Sequence, residues 1–330
     1  MDRISNKGMA KTLMVLGTAS DVGKSLIVTG LCRLFSRAGV RVAPFKAQNM
    51  SNNAYVCFPT GEIGWAQALQ AWACGLEPSI DINPVLLKPT TERSSQIVVH
   101  GQVWKTSSAY DFDRAYVREK VYESFTRLSR EYDLIILEGA GGAAEINLKD
   151  RDMVNFAMAE AADAPVLLVA DIDRGGVFGA LVGTMELLEV SERERVQGFI
   201  INKFRGDLSI LEPGLRMLEE KTGKPVLGVL PYVPGLALEA EDSVSLETYY
   251  KQQPAFSPSR VNIAVVTLPH MANFTDFLPL SNIDSVAPGI KCWAKRLPTH
   301  SGWKGYARVK KGSVFCRCTQ SWCRKKPLAA

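Results

Sequence analysis

One short stretch near the start of the chain restricts the fold more than any other. An apolar run of strand type ends at Gly17, and Gly23-Lys24-Ser25 then opens residues 26–34, a segment of helical periodicity. A strand, a glycine-bounded turn and a Gly-Lys-Ser triplet at a helix start are the context of a phosphate-binding loop. The N–H groups of such a turn point at an anion, which the helix dipole also favours. The sequence therefore predicts a phosphate site at the first strand–helix junction.

Two side chains of this loop have specific expected roles. Lys24 is expected to reach the β- and γ-phosphates of ATP as a catalytic group, and the Ser25 hydroxyl to coordinate Mg²⁺. Five residues separate the two glycines, one more than the usual spacing. The alternative is a chance Gly-Lys-Ser in a surface turn. The other residues expected to contact the nucleotide phosphates are Gly17, Thr18, Asp21, Val22 and Gly23.

Segments of strand type and of helix type alternate along most of the chain. This alternation predicts an α/β fold of P-loop NTPase type, with a doubly wound, mostly parallel sheet and helices on both faces. Residues 48–59 are predicted to form a loop and residues 84–93 to be irregular. The predicted strands are residues 40–45, 97–99, 134–137, 165–170, 198–201 and 226–230, and the predicted helices are residues 63–74, 110–131, 178–188 and 208–221.

Charged side chains follow three of the predicted strands, at the sheet edge where ligands bind in such folds. Glu138 ends a wholly apolar run and precedes Gly139-Ala140-Gly141-Gly142, a turn that lets the main chain approach a ligand closely. Glu138 is therefore expected to bind Mg²⁺, with a helix-capping or surface carboxylate as the alternative. Lys46 and Asp171 also follow strands and are candidate catalytic groups.

A cluster of neutral hydrogen-bonding side chains follows Lys46. Such a cluster suits a polyanionic or amide-bearing substrate near the γ-phosphate, and a polar loop of ordinary turn residues is the alternative. The candidate substrate-binding residues of this cluster are Gln48, Asn49, Ser51 and Asn52.

Two further polar segments follow strands. Asp173 and Arg174 come shortly before paired glycines, which indicates a switch or substrate loop, or else a charged loop with internal pairing. Asn202 and Lys203 could read a nucleotide base, but a capping asparagine fits equally well.

The charge of the chain is unevenly distributed. Residues 281–330 contain 11 Lys and Arg residues and one acid, whereas residues 1–280 contain 28 basic and 33 acidic residues. The body of the protein is thus mildly acidic and offers no basic face for nucleic acid. No run of membrane-spanning length and no signal-type segment occurs, so we expect a cytoplasmic protein with reduced cysteines and no membrane partner.

The composition also predicts the domain boundaries. Residues 1–8 are an extension without pattern, residues 9–248 an ATP-dependent domain, and residues 249–260 a linker. Residues 261–280 contain the first strand of a second, truncated α/β domain. Residues 281–330 form a basic tail with four cysteines and three tryptophans, expected to be disordered and without a further strand or helix. A zinc site there is the alternative, although its Cys-x-Cys spacing is unusual for zinc.

Six segments follow one another in the order of a known family. They are Gly17–Ser25, Phe45–Asn53, Asn83–Pro89, Leu137–Gly142, Asp171–Phe178 and Ile201–Asp207. Together they resemble the adenosylcobyric acid synthase family over residues 9–280. The five-residue loop spacing and the Glu-Gly-Ala-Gly-Gly turn also resemble dethiobiotin synthetase, which likewise activates a carboxylate with ATP.

This resemblance implies a particular chemistry. Members of the family amidate the b, d, e and g side-chain carboxylates of adenosylcobyrinic acid a,c-diamide, using glutamine and ATP with Mg²⁺. The resemblance implies that Lys24 and Ser25 bind phosphates and Mg²⁺, and that Glu138 binds Mg²⁺. It also implies that Asn202 lies by the adenine, with Lys46 and residues 48–53 on the corrinoid side.

The chain departs from the family after residue 280. The family's glutaminase domain has a nucleophilic cysteine in a Gly-x-Cys-Gly-Gly turn, and no cysteine here has that setting. We therefore expect residues after about 278 to come from a disrupted reading frame, and the chain to depend on free ammonia. The alternatives are an inactive truncated product and an ATPase switch of the ParA/MinD type that binds DNA or membrane. Ala19 stands where such switches carry a signature lysine. The sequence is also compatible with a homo-oligomer.

Overall fold

The computed structural model divides the chain into two compact units, Met1–Glu241 and Asp242–Ala330. We describe each unit by itself. The residues that the structure describes are 9–57, 60–91, 94–107, 112–233, 261–266, 273 and 286–291. The extension at residues 1–8 and the predicted linker at residues 249–260 lie outside these ranges.

Fourteen strands and seven α-helices, with one 3₁₀ turn at Ile146–Arg151, occur in the described residues. The strands are β1 (Lys11–Gly17), β2 (Val42–Phe45), β3 (Gln48–Met50), β4 (Ala54–Cys57), β5 (Gly61–Gly64), β6 (Val85–Pro89), β7 (Ser95–Val99), β8 (Gln102–Ser107), β9 (Leu134–Glu138), β10 (Val166–Asp171), β11 (Val196–Phe204), β12 (Val226–Pro231), β13 (Val261–Val266) and β14 (Val286–Lys291). The helices are α1 (Lys24–Arg37), α2 (Trp65–Cys74), α3 (Arg114–Glu131), α4 (Phe156–Ala161), α5 (Val177–Leu187), α6 (Val190–Arg195) and α7 (Leu208–Thr222).

The first unit is built on a six-stranded sheet whose strands are all parallel. Their order is β2-β9-β1-β10-β11-β12, with each neighbouring pair in parallel register. From β1 the chain builds β2 and β9 on one side and then crosses to build β10, β11 and β12 on the other. The direction of winding thus reverses at β1, where ligands bind in open parallel sheets. This topology confirms the predicted doubly wound α/β fold.

Alternate residues of the central strand face opposite layers of helices. Val15 packs in a cluster with Ile27 and Val28 of α1. Its neighbour Met14 packs in a second cluster that includes Phe125 of α3 and residues of α5 and α7. Both faces of this central strand are therefore buried, which explains why its sequence is continuously apolar from Leu13 to Leu16. The predicted helices on both faces are confirmed.

The structure corrects the predictions for residues 48–59 and 84–93. Instead of a loop and an irregular segment, β3 pairs in parallel with β6, which continues through β7 to β8 in antiparallel register. Strands β4 and β5 form a separate antiparallel pair. Because β5 extends to Gly64, α2 begins at Trp65 rather than at Ile63. Pairing with a buried apolar strand outweighs the turn preference of Asn49 in β3.

The described part of the second unit is one parallel pair of strands. Val261–Val266 is a strand, as predicted within residues 261–280, and its assignment to a second α/β domain stays a prediction. Its partner Val286–Lys291 was not predicted, because a Pro-Gly pair interrupts the strand pattern and only the pairing stabilises it. The rest of residues 281–330, including the candidate zinc ligands, lies outside the described residues.

We searched the described helices for one that could span a membrane. None is both long enough and apolar enough to do so.

Two adjacent residues of α7 test which face of this helix packs on the sheet. Leu218 is fully buried, whereas Met217 is 52% exposed. Leu218→Ala is expected to lower the free energy of unfolding by about 2–5 kcal/mol, because it leaves a cavity in the core. Met217→Ala is the matched control, with a change of less than about 0.5 kcal/mol. Urea denaturation measures both values, and equal losses would contradict the packing described.

Candidate active site

The loop between β1 and α1 has main-chain donors for which the described part of the chain supplies no acceptor. The N–H groups of residues 19–23 donate no hydrogen bond to any residue in the described ranges. Asp21 and Gly23 have left-handed backbones, with φ of 59° and 100°. Left-handed residues within a short loop turn successive N–H groups into a concave anion-binding nest. The loop therefore has the geometry of a phosphate cradle.

Steric contacts explain both glycines of this loop. A Cβ atom on Gly17 would lie 2.6 Å from Val22 Cγ2. A Cβ atom on Gly23 would collide with the carboxamide nitrogen of Asn202, and its positive φ is itself unfavourable for other residues. Both positions consequently require glycine in this backbone conformation.

Lys24 joins this loop to the glycine-rich turn after β9. Its side chain is buried, and Nζ donates to the carbonyl oxygens of Ala19 and Gly141, at 2.9 Å each. These two carbonyls hold the buried ammonium group beside the loop. Such a cation can exchange these neutral acceptors for phosphate oxygens, which bind it more strongly.

The side chain of Asn155 holds the glycine-rich turn at residues 139–142 in place. Its Oδ1 accepts from Ala140 N at 3.0 Å, and its Nδ2 donates to Ala140 O at 2.9 Å. A Cβ atom on Gly139 would collide with Asn155 Oδ1 and with the side chain of Leu16. The turn is therefore held in one conformation, with the Gly141 carbonyl aimed at Lys24.

Glu138 is the buried hub of the site. Only 1% of the residue is exposed. Its Oε1 accepts from Ser25 Oγ at 2.7 Å and from Lys46 Nζ at 2.8 Å, and its Oε2 accepts from Gln70 Nε2. Two candidate residues, Lys46 after β2 and Ser25 at the start of α1, thus bind the carboxylate of the third, Glu138 at the end of β9.

The surroundings of Glu138 keep it ionised. Burial alone would raise the pKa of this carboxyl group, but the charge of Lys46 opposes that effect. Hydrogen bonds from Lys46, Gln70 and Ser25 act in the same direction, so the pKa of Glu138 is below its ordinary value. The carboxylate is therefore negatively charged throughout the neutral range.

Asp171 and Asn202 lie on the other side of the loop. Asn202 is buried and donates from Nδ2 to Val22 O at 2.9 Å. Asp171 forms an ion pair with Lys203, at 2.7 Å from Oδ2 to Nζ. Lys203 Nζ also donates to Asp21 O at 2.7 Å. Both predicted residues therefore support the loop from the ends of β10 and β11, and a contact of Asn202 with a base stays a prediction.

The candidate residues Asp173 and Arg174 are exposed in the turn between β10 and α5. Asp173 forms an ion pair with Arg205 at 2.8 Å, and the Arg205 guanidinium stacks on the ring of Tyr232. The Asp173 carboxylate therefore pairs with an arginine outside the charged segment, and not with Arg174 inside it. Contact with a substrate stays a prediction for both residues.

The polar cluster after Lys46 lies in and beside β3. Asn49 is buried and donates from Nδ2 to Gln67 Oε1 at 2.9 Å, while Ser51 N donates to Leu87 O at 3.0 Å. Gln48 and Asn52 are half-buried. The cluster thus lies at the edge of the four-stranded sheet β3-β6-β7-β8, called the small sheet below. The hydrogen bond between Asn49 and Gln67 joins it to α2. Substrate binding by these residues stays a prediction.

Sequence reasoning missed two residues that shape the site, Gln70 and Asn155. Gln70 lies in a helix dense in Ala and Gln, where one glutamine looks like another. Asn155 follows the glycine-rich turn by more than ten residues, so nothing local links the two. Lys203 was singled out together with Asn202 as a candidate for base recognition. Its ammonium group binds Asp21 O and Asp171 Oδ2, and contact with a base stays a prediction.

The donor set fits a nucleotide with a hard divalent cation. The free N–H groups and Lys24 suit phosphate oxygens, and the Ser25 hydroxyl beside the Glu138 carboxylate offers the oxygen ligands that Mg²⁺ prefers. Within the described residues, no group of three or more His, Cys, Asp or Glu side chains could hold a metal ion by itself. A magnesium ion here would therefore depend on nucleotide phosphates and water for its other ligands.

This fold and cradle define a P-loop nucleotide-binding protein. Residues 13–246 match the family model described as the CobQ/CobB/MinD/ParA nucleotide binding domain, so the chain belongs to this family.

Several curated relatives of the chain are named cobyric acid synthase. The chain is 53% identical over 288 residues to cobyric acid synthase of Pelotomaculum thermopropionicum, a match that covers 86% of this chain and 53% of that protein. It is 54% identical over 275 residues to cobyric acid synthase of Sorangium cellulosum, with 83% and 53% covered. These matches confirm the predicted resemblance. The chain spans about half the length of the curated relatives it matches.

Among solved structures, the chain is similar to the MinD cell division protein of Aquifex aeolicus. The sequence identity is 14% and the TM-score is 0.38, over 69% of this chain and 84% of that one. A likeness at this level carries no argument about function.

The buried pair of Lys46 and Glu138 predicts coupled effects on stability. Lys46→Met and Glu138→Gln are each expected to lower the free energy of unfolding by about 3–5 kcal/mol, because each removes the partner that neutralises a buried charge. The double variant is expected to recover much of that loss. Urea denaturation of the four proteins measures the coupling, and strictly additive losses would contradict it.

The same pair predicts a pH dependence. Because folding lowers the pKa of Glu138, its ionised form contributes stability above its ordinary pKa of 4.5, and this contribution is lost as the pH falls through the lower value of the folded state. The difference in unfolding free energy between the natural protein and Glu138→Gln should therefore shrink below pH 4.5. A difference that stays constant down to the acid transition would contradict the assignment.

Proposed function

We propose that this chain uses ATP with Mg²⁺ to activate side-chain carboxylates of a corrinoid for amidation. The observation that carries the proposal is the set of unbonded N–H groups at residues 19–23, next to Lys24 and to Ser25 on an ionised Glu138. This set suits a triphosphate whose terminal group is to be transferred, because it offers positive charge without supplying a nucleophile.

Each group in the site has its own proposed role. The loop N–H groups and Lys24 bind the phosphates and neutralise the charge that develops on them. Ser25 and Glu138 would hold Mg²⁺, which would supply charge neutralisation at the phosphate oxygens. The Ser25 hydroxyl donates to Oε1 of Glu138, so the two groups would offer their oxygens side by side. Lys46 binds the same carboxylate oxygen, and its proposed position is beside the transferred group.

The chemistry requires two displacements. A carboxylate cannot be attacked by ammonia directly, since oxide would have to leave. A substrate carboxylate oxygen therefore attacks the γ-phosphorus of ATP, the bond to the bridging oxygen breaks, and ADP leaves with an acyl phosphate as the product. Ammonia then attacks the acyl carbon, inorganic phosphate leaves, and the nitrogen loses a proton to give the amide.

The substrate assignment comes from the relatives and from the small sheet. The curated relatives are named cobyric acid synthase, which places their product in corrinoid chemistry. Adenosylcobyrinic acid a,c-diamide, with its b, d, e and g carboxylates, is the substrate that the resemblance implies. The neutral amides and hydroxyls on and beside β3 follow Lys46 directly and suit a ligand bearing both amide and carboxylate groups.

The nitrogen donor is the second part of the proposal. No cysteine of the sequence lies in a Gly-x-Cys-Gly-Gly turn, the setting of a glutaminase nucleophile. We therefore expect ammonia to support the reaction and glutamine to fail with this sequence alone. Phosphate release from ATP and corrinoid, with ammonium chloride or glutamine as the nitrogen source, tests both parts. Turnover that responds to DNA or lipid vesicles instead of corrinoid would favour a switch of the MinD/ParA kind.

Removing the loop lysine tests the phosphate cradle. Lys24→Met is expected to weaken ATP binding by roughly 10- to 150-fold, because a hydrogen bond to a charged group contributes about 1.5–3 kcal/mol. Lys11→Met, which removes an exposed lysine at the start of β1, is the matched control and should bind ATP normally. Isothermal titration calorimetry measures both affinities. Unchanged ATP binding by Lys24→Met would overturn the proposed site.

Removing the loop serine separates the metal from the phosphates. Ser25→Ala is expected to lose most of the gain in ATP affinity that Mg²⁺ provides, since it removes an oxygen ligand, while ADP binding in EDTA changes little. The comparison is made by titrating each nucleotide with and without Mg²⁺. A normal Mg²⁺ gain in this variant would show that Ser25 does not hold the cation.

A further inference from the structure

Two consecutive residues at the end of β11 bind two consecutive carbonyl groups of the phosphate loop. Asn202 Nδ2 donates to Val22 O at 2.9 Å, and Lys203 Nζ donates to Asp21 O at 2.7 Å. Lys203 also reaches Asp171 Oδ2 at 2.7 Å, so its ammonium group bridges the loop and the end of β10. The contact of Asn202 gives a buried amide a hydrogen-bond partner. The contact of Lys203 is different, because a long and partly exposed side chain is held on one particular main-chain oxygen.

The direction of these carbonyls determines the direction of the neighbouring N–H groups. In a planar trans peptide, the C=O of one residue and the N–H of the next point to opposite sides. The Asp21 carbonyl points at Lys203, so the N–H of Val22 points away from β11. The Val22 carbonyl points at Asn202, and the N–H of Gly23 likewise points away. Both N–H groups belong to the unbonded set of the cradle.

The backbone of Lys203 shows that this contact is structurally demanding. Its φ is 62°, a left-handed conformation that residues other than glycine rarely adopt. Asp21, whose carbonyl it binds, is also left-handed, with φ of 59°. Two unfavourable backbone conformations persist here because the ammonium group, the Asp21 carbonyl and the Asp171 carboxylate hold one another in place.

We infer that Lys203 is a positioning residue for phosphate binding, which acts through the Asp21 carbonyl to keep the loop N–H groups aimed at a di- or triphosphate. This inference rests on the proposed nucleotide site. It assigns Asp171 a supporting role as the anchor of Lys203, in place of direct participation in catalysis. Lys203 then reads no base and touches no phosphate.

The test compares two ligands that share phosphates but differ in the base. Lys203→Met keeps most of the aliphatic stem and removes the ammonium group. It is expected to weaken ADP and inorganic tripolyphosphate by the same factor, about tenfold or more, when both are titrated calorimetrically in EDTA. Loss of ADP affinity with normal tripolyphosphate binding would mean that Lys203 contacts the base, and would overturn the inference. Normal binding of both ligands would also overturn it.

Simple charge repulsion needs a separate control, because Lys203→Met leaves Asp171 without its cation. The charge-matched double variant Lys203→Met with Asp171→Asn removes both members of the pair. If Lys203 acts by position, the double variant stays about tenfold weak, since the Asp21 carbonyl is still unsupported. Recovery to the natural affinity would show that only charge mattered, and would overturn the inference. Lys221→Met, on exposed α7 surface, should bind both ligands normally.

A conservative replacement of Lys203 is the third test of the inference. Lys203→Arg retains a charged donor of similar reach and should recover most of the affinity for both ligands. If Lys203→Met does not fold, as judged by circular dichroism, Lys203→Gln replaces it, since its shorter neutral amide also leaves Asp21 unsupported. The same equal loss for ADP and tripolyphosphate is expected. If the natural protein itself bound neither ligand, the proposed function would fail before Lys203 became relevant.

Discussion

The buried carboxylate of Glu138 is the interaction on which the rest of the site depends. An ionised carboxylate in a protein interior costs several kcal/mol unless cations and hydrogen-bond donors surround it. Its donors here come from the first turn of α1, the residue after β2 and the middle of α2. The need to satisfy one charge therefore fixes the relative positions of three elements around the end of β9.

The phosphate loop is consequently held from two directions. On one side, Lys24 and Ser25 connect it to the glycine-rich turn and to Glu138. On the other side, Asn202 and Lys203 bind its carbonyls. A loop with free N–H groups would otherwise collapse onto nearby acceptors or water, and this double support keeps its donors available before any ligand arrives.

The sequence predicted those parts of the molecule whose signals are local. The loop motif and the wholly apolar runs defined the parallel sheet, because strands buried on both faces need continuous hydrophobic residues. Strand β3 escaped prediction because its partner β6 lies far along the chain and supplies the buried surface that its own polar residues lack. Gln70 and Asn155 escaped for a related reason, since only the fold reveals which carboxylate or turn a particular amide serves.

The position of the small sheet has an evolutionary consequence. Strands β3 to β8 and helix α2 are all inserted in the single connection that leads from β2 to α3. The phosphate loop and the glycine-rich turn lie outside that insertion, which contributes the hydrogen bond from Gln70 to Glu138. A lineage could therefore exchange this insertion for another while the loop and the turn stayed the same.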